Sequence, residues 1–201
     1  MWVRSQYTSE LAVLAAWVSL LVPWNIVYHT RAAVQEFSAI EGTVFFLRFA
    51  FFELQFRQET VSDGGIAIEN FPEFLEAQYA GTHLGANVYA TSPFTSAMFY
   101  EGTLWQASLL WTVAAVAAAL ALALSVALYF RSEETVERLP VSEVRLMGAL
   151  LGVTALGMSG ASLLYYFERD VVGTPIPAGV VVVGAFAVVL LRTRAIPDGE
   201  N

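Results

Sequence analysis

Four stretches of the chain are apolar for long enough to cross the roughly 30 Å hydrocarbon core of a bilayer, which takes about 20 helical residues at 1.5 Å each. They run from Ser9 to Tyr28, Thr103 to Phe130, Arg145 to Phe167 and Val171 to Leu191. The second is the clearest, because "LLWTVAAVAAALALALSVALYF" holds no ionisable residue. The fourth is short and valine-rich after Pro177, but Thr174 followed by Pro175 offers an N-cap and a first-turn proline that lengthen it. Pro23 is expected to kink the first helix near its end, with Asn25 close enough to lipid headgroups to be hydrated. An uncleaved anchor fits this first stretch better than a cleaved signal. Its leading region carries a single arginine, and Thr30 with Ala32 makes a poor cleavage site.

Between the first and second stretches lies "TVFFLRFAFFELQFRQ", Thr43 to Gln58, with six phenylalanines around an arginine and a glutamate. It is too short for a helical crossing and would place Arg48 and Glu53 at mid-depth, where a charge is costly. Two readings remain. As an interfacial helix, it would pair Glu53 with Arg57 four residues on. As strands, "ELQFR" alternates Glu53, Gln55 and Arg57 against Leu54 and Phe56, a half-buried pattern, and this alternation favours strands. "SDGG" then reads as a turn before "IAIENF". "NFPEFLEAQYA" reads as a short helix capped by Asn70, and Ser92 with Pro93 is a further helix start. Eleven of the fourteen phenylalanines fall between Arg31 and Gly102, too much apolar surface for a disordered tether.

The pattern predicts an all-α integral membrane protein. It is a four-helix transmembrane bundle with an extracytoplasmic cap between the first two helices, the cap holding a small β-hairpin and a short helix. The whole chain, 1–201, is one membrane domain, with 30–102 as the extracytoplasmic insertion. Arginines in the short connections orient it. Arg4, the group Arg131, Arg138 and Arg145, and the pair Arg192 and Arg194 fall on one side, which puts both termini in the cytoplasm. Trp24, Tyr28, Tyr100, Trp105, Tyr165 and Tyr166 then mark the outer interface.

Composition agrees with a membrane class, at 57% apolar and 14% charged residues. The net charge of −8, with arginine as the only basic residue type, suits an acidic proteome in high salt. It also argues against nucleic acid as a partner. With no cysteine there is no disulfide, thiolate nucleophile or cysteine metal site. His29 and His83 are the only histidines and stand at no ligand spacing. Glu73 and Glu76 read as a solvated first helical turn. No catalytic motif is present, and no cofactor or metal is expected.

Two residue sets carry what specific signal there is. Gly148, Gly152, Ala155 and Ser159, continued by Ser162, form a small-residue stripe that lets another helix approach closely. Another helix of the same chain is favoured over a homodimer, with Ala114, Ala118 and Ala121 able to oppose the stripe. Arg48, Glu53 and Arg57 are the candidate partner-binding residues, for a membrane or envelope protein.

The opening "MWVRSQYTSELAVLAAWVSLLVPWNIVYHT", with "VFFLRFAFFELQF" and "ALALALSVALYF", resembles an uncharacterised family of small haloarchaeal multi-pass membrane proteins. That resemblance implies habitat and membrane topology, and no activity. The expected function is a non-enzymatic structural or accessory membrane protein of the cell envelope, located in the cell membrane and in contact with the lipid bilayer. The alternative is a small transporter or channel subunit for an apolar or neutral solute.

Overall fold

The computed structural model describes residues 4–5, 8–35, 38–61, 79–85, 87–130 and 142–195. The chain enters through a two-residue strand β1 (Arg4–Ser5) and helix α1 (Thr8–Leu21), then turns into strand β2 (Asn25–Gln35). Strands β3 (Ser38–Arg48) and β4 (Glu53–Val61) follow, then β5 (Thr82–Gly85) and β6 (Val88–Thr91). The second half holds helices α2 (Pro93–Phe99), α3 (Gly102–Tyr129), α4 (Glu143–Phe167) and α5 (Arg169–Val172), strand β7 (Thr174–Ile176), helix α6 (Ala178–Arg192) and strand β8 (Arg194–Ala195).

Six strands form one antiparallel sheet in the order β5-β6-β4-β3-β2-β7, and β1 pairs with β8 separately. This sheet overturns the all-α four-helix bundle. The expected first crossing stops being helix at Leu21, and from Asn25 the chain is strand. Pro23 supplies no amide hydrogen to continue the helix. From Asn25 onward the alternation is two-sided, with Val27 fully buried and Tyr28 65% exposed. A strand apolar on both faces reads in sequence like the end of an apolar helix. The fourth crossing fails likewise. Thr174 and Pro175 lie in β7, and α6 starts at Ala178. Among the described residues only α3 and α4 are long and apolar enough to cross a membrane, while α1 and α6 have 14 and 15 residues.

Residues 43–57 are strand, not helix, apart from their turn. The hairpin turns at Phe49–Phe52, ahead of the expected "SDGG", which lies outside the described residues together with most of "NFPEFLEAQYA". Ser92 does cap α2, its hydroxyl accepting the Thr95 amide hydrogen at 3.0 Å. Gly102, at φ +59°, breaks the path between α2 and α3 at a conformation that costs glycine little.

The helices pack through small residues. Gly148, Gly152 and Ala155 face α6, near Leu190, Ala187 and Gly184 respectively, so this stripe meets a helix of the same chain. The alanine surface of α3 instead meets the neighbouring glycines of α4. A Cβ on Gly157 would lie 3.0 Å from both the Ala114 Cβ and the Leu110 carbonyl oxygen. Gly179 is tighter still, since its Cβ would fall 2.4 Å from the Pro23 carbonyl oxygen. That close approach seats α6 on the α1–β2 connection.

The spacings along α4 separate two alanine substitutions. At Gly152 a Cβ meets only the Ala187 methyl at 3.9 Å, so Gly152→Ala is expected to raise stability by up to about 1 kcal/mol through helix propensity. At Gly157 that gain is outweighed by an overpacking cost of about 1–3 kcal/mol against backbone that cannot rotate away. Thermal unfolding of the two variants checks the contrast, and equal midpoints would show that α3 and α4 do not touch here.

Candidate functional site

The turn Phe49–Phe52 contains no glycine, proline or asparagine, so its stability comes from what it touches. Its ends close through the Phe49 amide donating to the Phe52 carbonyl at 2.7 Å, and the Phe49 and Phe52 rings stack 4.7 Å apart. The Phe49 carbonyl accepts from the indole N–H of Trp24 at 2.9 Å and of Trp111 at 3.0 Å. Both indoles are fully buried, with Trp24 between Trp111 and Tyr165. The hairpin tip is thus wedged into the end of the helical layer, where two tryptophans satisfy a carbonyl that would otherwise be buried without a donor.

That wedge draws the flanking residues out of water. Arg48 and Glu53 stand opposite each other across the turn and form an ion pair through the Arg48 Nε and the Glu53 Oε2. Pleating puts Gln55 and Arg57 on the same face. Gln55 donates to Glu53 Oε1 at 2.5 Å and to the Ala80 carbonyl at 2.6 Å. Arg57 donates through Nη2 to Gln55 Oε1 at 2.7 Å and to the Tyr79 carbonyl at 3.0 Å. The result is a directed chain, Arg57 to Gln55 to Glu53, with Arg48 closing on the carboxylate from the other side. Arg48, Glu53 and Arg57 are each 3% exposed and Gln55 is fully buried.

Aromatic faces complete the enclosure. The Arg48 guanidinium carbon lies 4.1 Å from the centre of the Tyr165 ring, and that of Arg57 lies 3.7 Å from Tyr89. Such contacts gain strength when desolvated, to about 2 kcal/mol. Burial opposes the charge on Arg48, but the adjacent Glu53 carboxylate offsets that and holds the guanidinium above its usual range. Desolvation, with Glu53 nearby, pushes the Tyr100 hydroxyl well above the usual phenol range. Tyr100 is therefore a neutral acceptor, taking the Ala80 amide hydrogen at 3.2 Å. Asn25, opposite Arg48 on β2, donates to the Ser162 hydroxyl at 3.2 Å and so links the sheet to α4.

The three candidate partner-binding residues are thus brought together, facing inward. The alternation in "ELQFR" is real, but the buried side is the charged one, and Phe56 is 40% exposed. Asn25 is fully buried on Ser162, in place of the expected hydration. Asn25, Gln55, Trp111 and Ser162 were not singled out as site residues. For Gln55 the signal was its place in the alternation with Glu53 and Arg57; for the others no local signal exists. His29 on β2 and His83 on β5 are separated by three strands, and His83 packs on Tyr89 at 4.9 Å. Glu73 and Glu76 lie outside the described residues. Among the described residues no group of three or more histidine and acidic side chains converges. Between α4 and α6 a groove of about 340 Å³ is lined by Ser159, Ser162, Leu163, Tyr166, Pro175 and Val180, among others, and is predominantly apolar.

Chemically the cluster is a lock. Its carboxylate is engaged by two donors, which leaves it poorly placed to take a proton from a substrate. Replacing Glu53 alone by leucine strands the Arg48 charge and is expected to cost about 3–5 kcal/mol. The double variant Arg48→Met, Glu53→Leu removes both charges and is expected to recover most of that loss. Denaturant unfolding of the two variants and of Arg48→Met gives the coupling, and strictly additive losses would mean that the pair does not act as a unit.

The chain belongs to a family of unknown function (DUF7549), whose model matches residues 1–195. No curated protein matches it.

Proposed function

We propose that this member of a family without an assigned activity is a non-enzymatic structural or accessory protein of the cell membrane. Its helical layer lies in the bilayer and its sheet stands on the outer side as a rigid module for contact with an envelope partner. The observation that carries this reading is the outward face of the helices. Leu109, Val113, Val116 and Leu120 line one side of α3 at helical spacing and are 39–56% exposed. On α4, Val153, Leu156 and Leu163 are exposed, and on α6 Val181 and Val188. In the most apolar parts of α3 and α4 only 39% and 44% is buried. A core helix of a water-soluble domain buries most of such a stretch, whereas lipid solvates it.

Between the helices the packing is closed. Ala12, Ala15, Met147, Leu151, Val183 and Leu190 are buried to within 1%. The hydroxyls of Ser19, Ser125, Thr154 and Ser159 each donate to a carbonyl of their own helix, at 2.7–2.9 Å. They are occupied by their own backbones and do not combine into a polar route, which weighs against a transporter or channel. In the charged cluster the Glu53 carboxylate is already engaged by Arg48 and Gln55, which weighs against its serving as a catalytic base.

Orientation follows from the arginines. Strands β1 and β8 pair Arg4 with Arg194, which joins the two ends of the chain at the end of the helices away from the sheet. The connection from Phe130 to Ser142 leaves from that same end and carries Arg131 and Arg138. This end is cytoplasmic in our reading, with the sheet outside. The net charge of −8 fits a high-salt habitat, in keeping with a haloarchaeal origin.

In cells the protein is expected to stay in the membrane pellet through alkaline carbonate and to leave it in mild detergent. A reporter active only in the cytoplasm should be bright at the C-terminus and dark in the β5–β6 turn at Gly85. Recovery of the chain in the soluble fraction overturns the membrane reading, and a bright reporter at Gly85 overturns the orientation.

A further inference from the structure

Helices α1 and α6 are short for a bilayer. Fourteen and 15 residues rise about 21–23 Å, some 7–9 Å less than the hydrocarbon thickness. What stands at that missing depth is the base of the sheet, because β2 follows α1 and β7 precedes α6. The face of the sheet turned away from the charged cluster has an ordered composition there.

The first cross-strand row on that face is Ile176, Ile26, Leu47, Leu54 and Ala90, ending on Thr82 at the β5 edge. The second starts from Thr174 at the β7 edge and continues with Tyr28, Phe45, Phe56 and Val88. Ile176 is 57% and Tyr28 65% exposed, and neither row holds a charge. The third row switches to Thr30, Thr43 and Gln58. An antiparallel sheet with one face on the core ordinarily presents polar residues on the other. Here the central strands β2, β3 and β4 do so only from the third row outward. Two rows with their margins extend about 7–10 Å along the strands, which matches the shortfall of the helices.

We propose that the lipid boundary crosses the sheet between its second and third rows, so that the outer face of the sheet base is a surface for the acyl chains of the outer leaflet. This rests on the membrane reading above and goes beyond it. The occupant is lipid because the patch lies on strands that adjoin α1 and α6 along the chain and, like the exposed stripes of the helices, is apolar and uncharged. It also stops at the level set by bilayer thickness. The neighbouring α2 adds Phe94 and Met98, 65% and 74% exposed, directly after the base of β6. Backbone at the β7 edge is compatible with this position, since the strand has three residues and its central Pro175 has no N–H to leave unpaired. On the opposite face the charged cluster sits at the same depth, and its enclosure by tyrosines keeps it from lipid.

The chain has no cysteine, so single-cysteine variants take a spin label at one site each. Labels at Phe56→Cys, Gln58→Cys and, as a mid-helix reference, Leu120→Cys are measured in phospholipid vesicles for collision with oxygen and with a water-soluble nickel chelate. At Phe56 and Leu120, oxygen should dominate; at Gln58, the nickel chelate should. If Leu120 is shielded from nickel while Phe56 is as accessible to it as Gln58, the boundary lies below the sheet and this inference fails alone. If Leu120 too is open to nickel, the membrane reading fails with it. Spin–spin broadening at Phe56 that vanishes on dilution with unlabelled protein identifies a second copy on this face and rejects lipid as the occupant.

Discussion

A guanidinium and a carboxylate held out of water at the base of one hairpin, Arg48 and Glu53, govern how the two layers of this protein meet. Either group alone would be too costly to bury. Together, with Gln55 and the Tyr165 ring, they make the hairpin's descent into the helices affordable. Once the tip is seated, Trp24 and Trp111 hold its carbonyl, and Asn25 ties the adjacent strand to Ser162 on α4. The register of the central strands follows, because a slip of one residue would turn these charges to the outer face and the rings inward.

The helical layer obeys a different rule. Its contacts depend on how closely backbones approach, through Gly148, Gly157 and Gly179, and its outward surface is largely apolar. In lipid no hydrophobic force drives such helices together, and close van der Waals packing takes its place. On the membrane reading proposed above, the protein has two solvents. In that reading the apolar outer face of the sheet base and the polar row beyond it would mark where one gives way to the other. This view also explains why α1 and α6 stop short, since the sheet supplies the rest of the apolar depth.

Much was legible in the chain itself. α3 and α4 were located to within two residues, because a long apolar stretch with no charge or proline is helical almost whatever surrounds it. The start of α2 could be read from Ser92 and Pro93, a local cap. The stripe from Gly148 to Ser159 marked close helix contact, although α6 opposes it and the alanines of α3 meet Gly157 instead. The strand reading of "ELQFR" rested on a true alternation. Which face is interior was not legible, for periodicity shows that two faces differ and not which of them is buried.

What the sequence by itself determined is therefore what depends on neighbours within a turn or two: the two long helices, the capped start of α2 and the strand-like alternation after Phe52. Only the tertiary structure decided that Asn25 to Gln35 and Thr174 to Ile176 are strands, that a turn of aromatic residues closes at Phe49–Phe52, and that Arg48, Glu53, Gln55 and Arg57 are interior. The physical reason is the same in each case. An apolar segment, a turn without glycine and a buried charge are all neutral or unfavourable locally. They become stable only through partners far along the chain, as the Phe49 carbonyl does with Trp111 and Asn25 with Ser162.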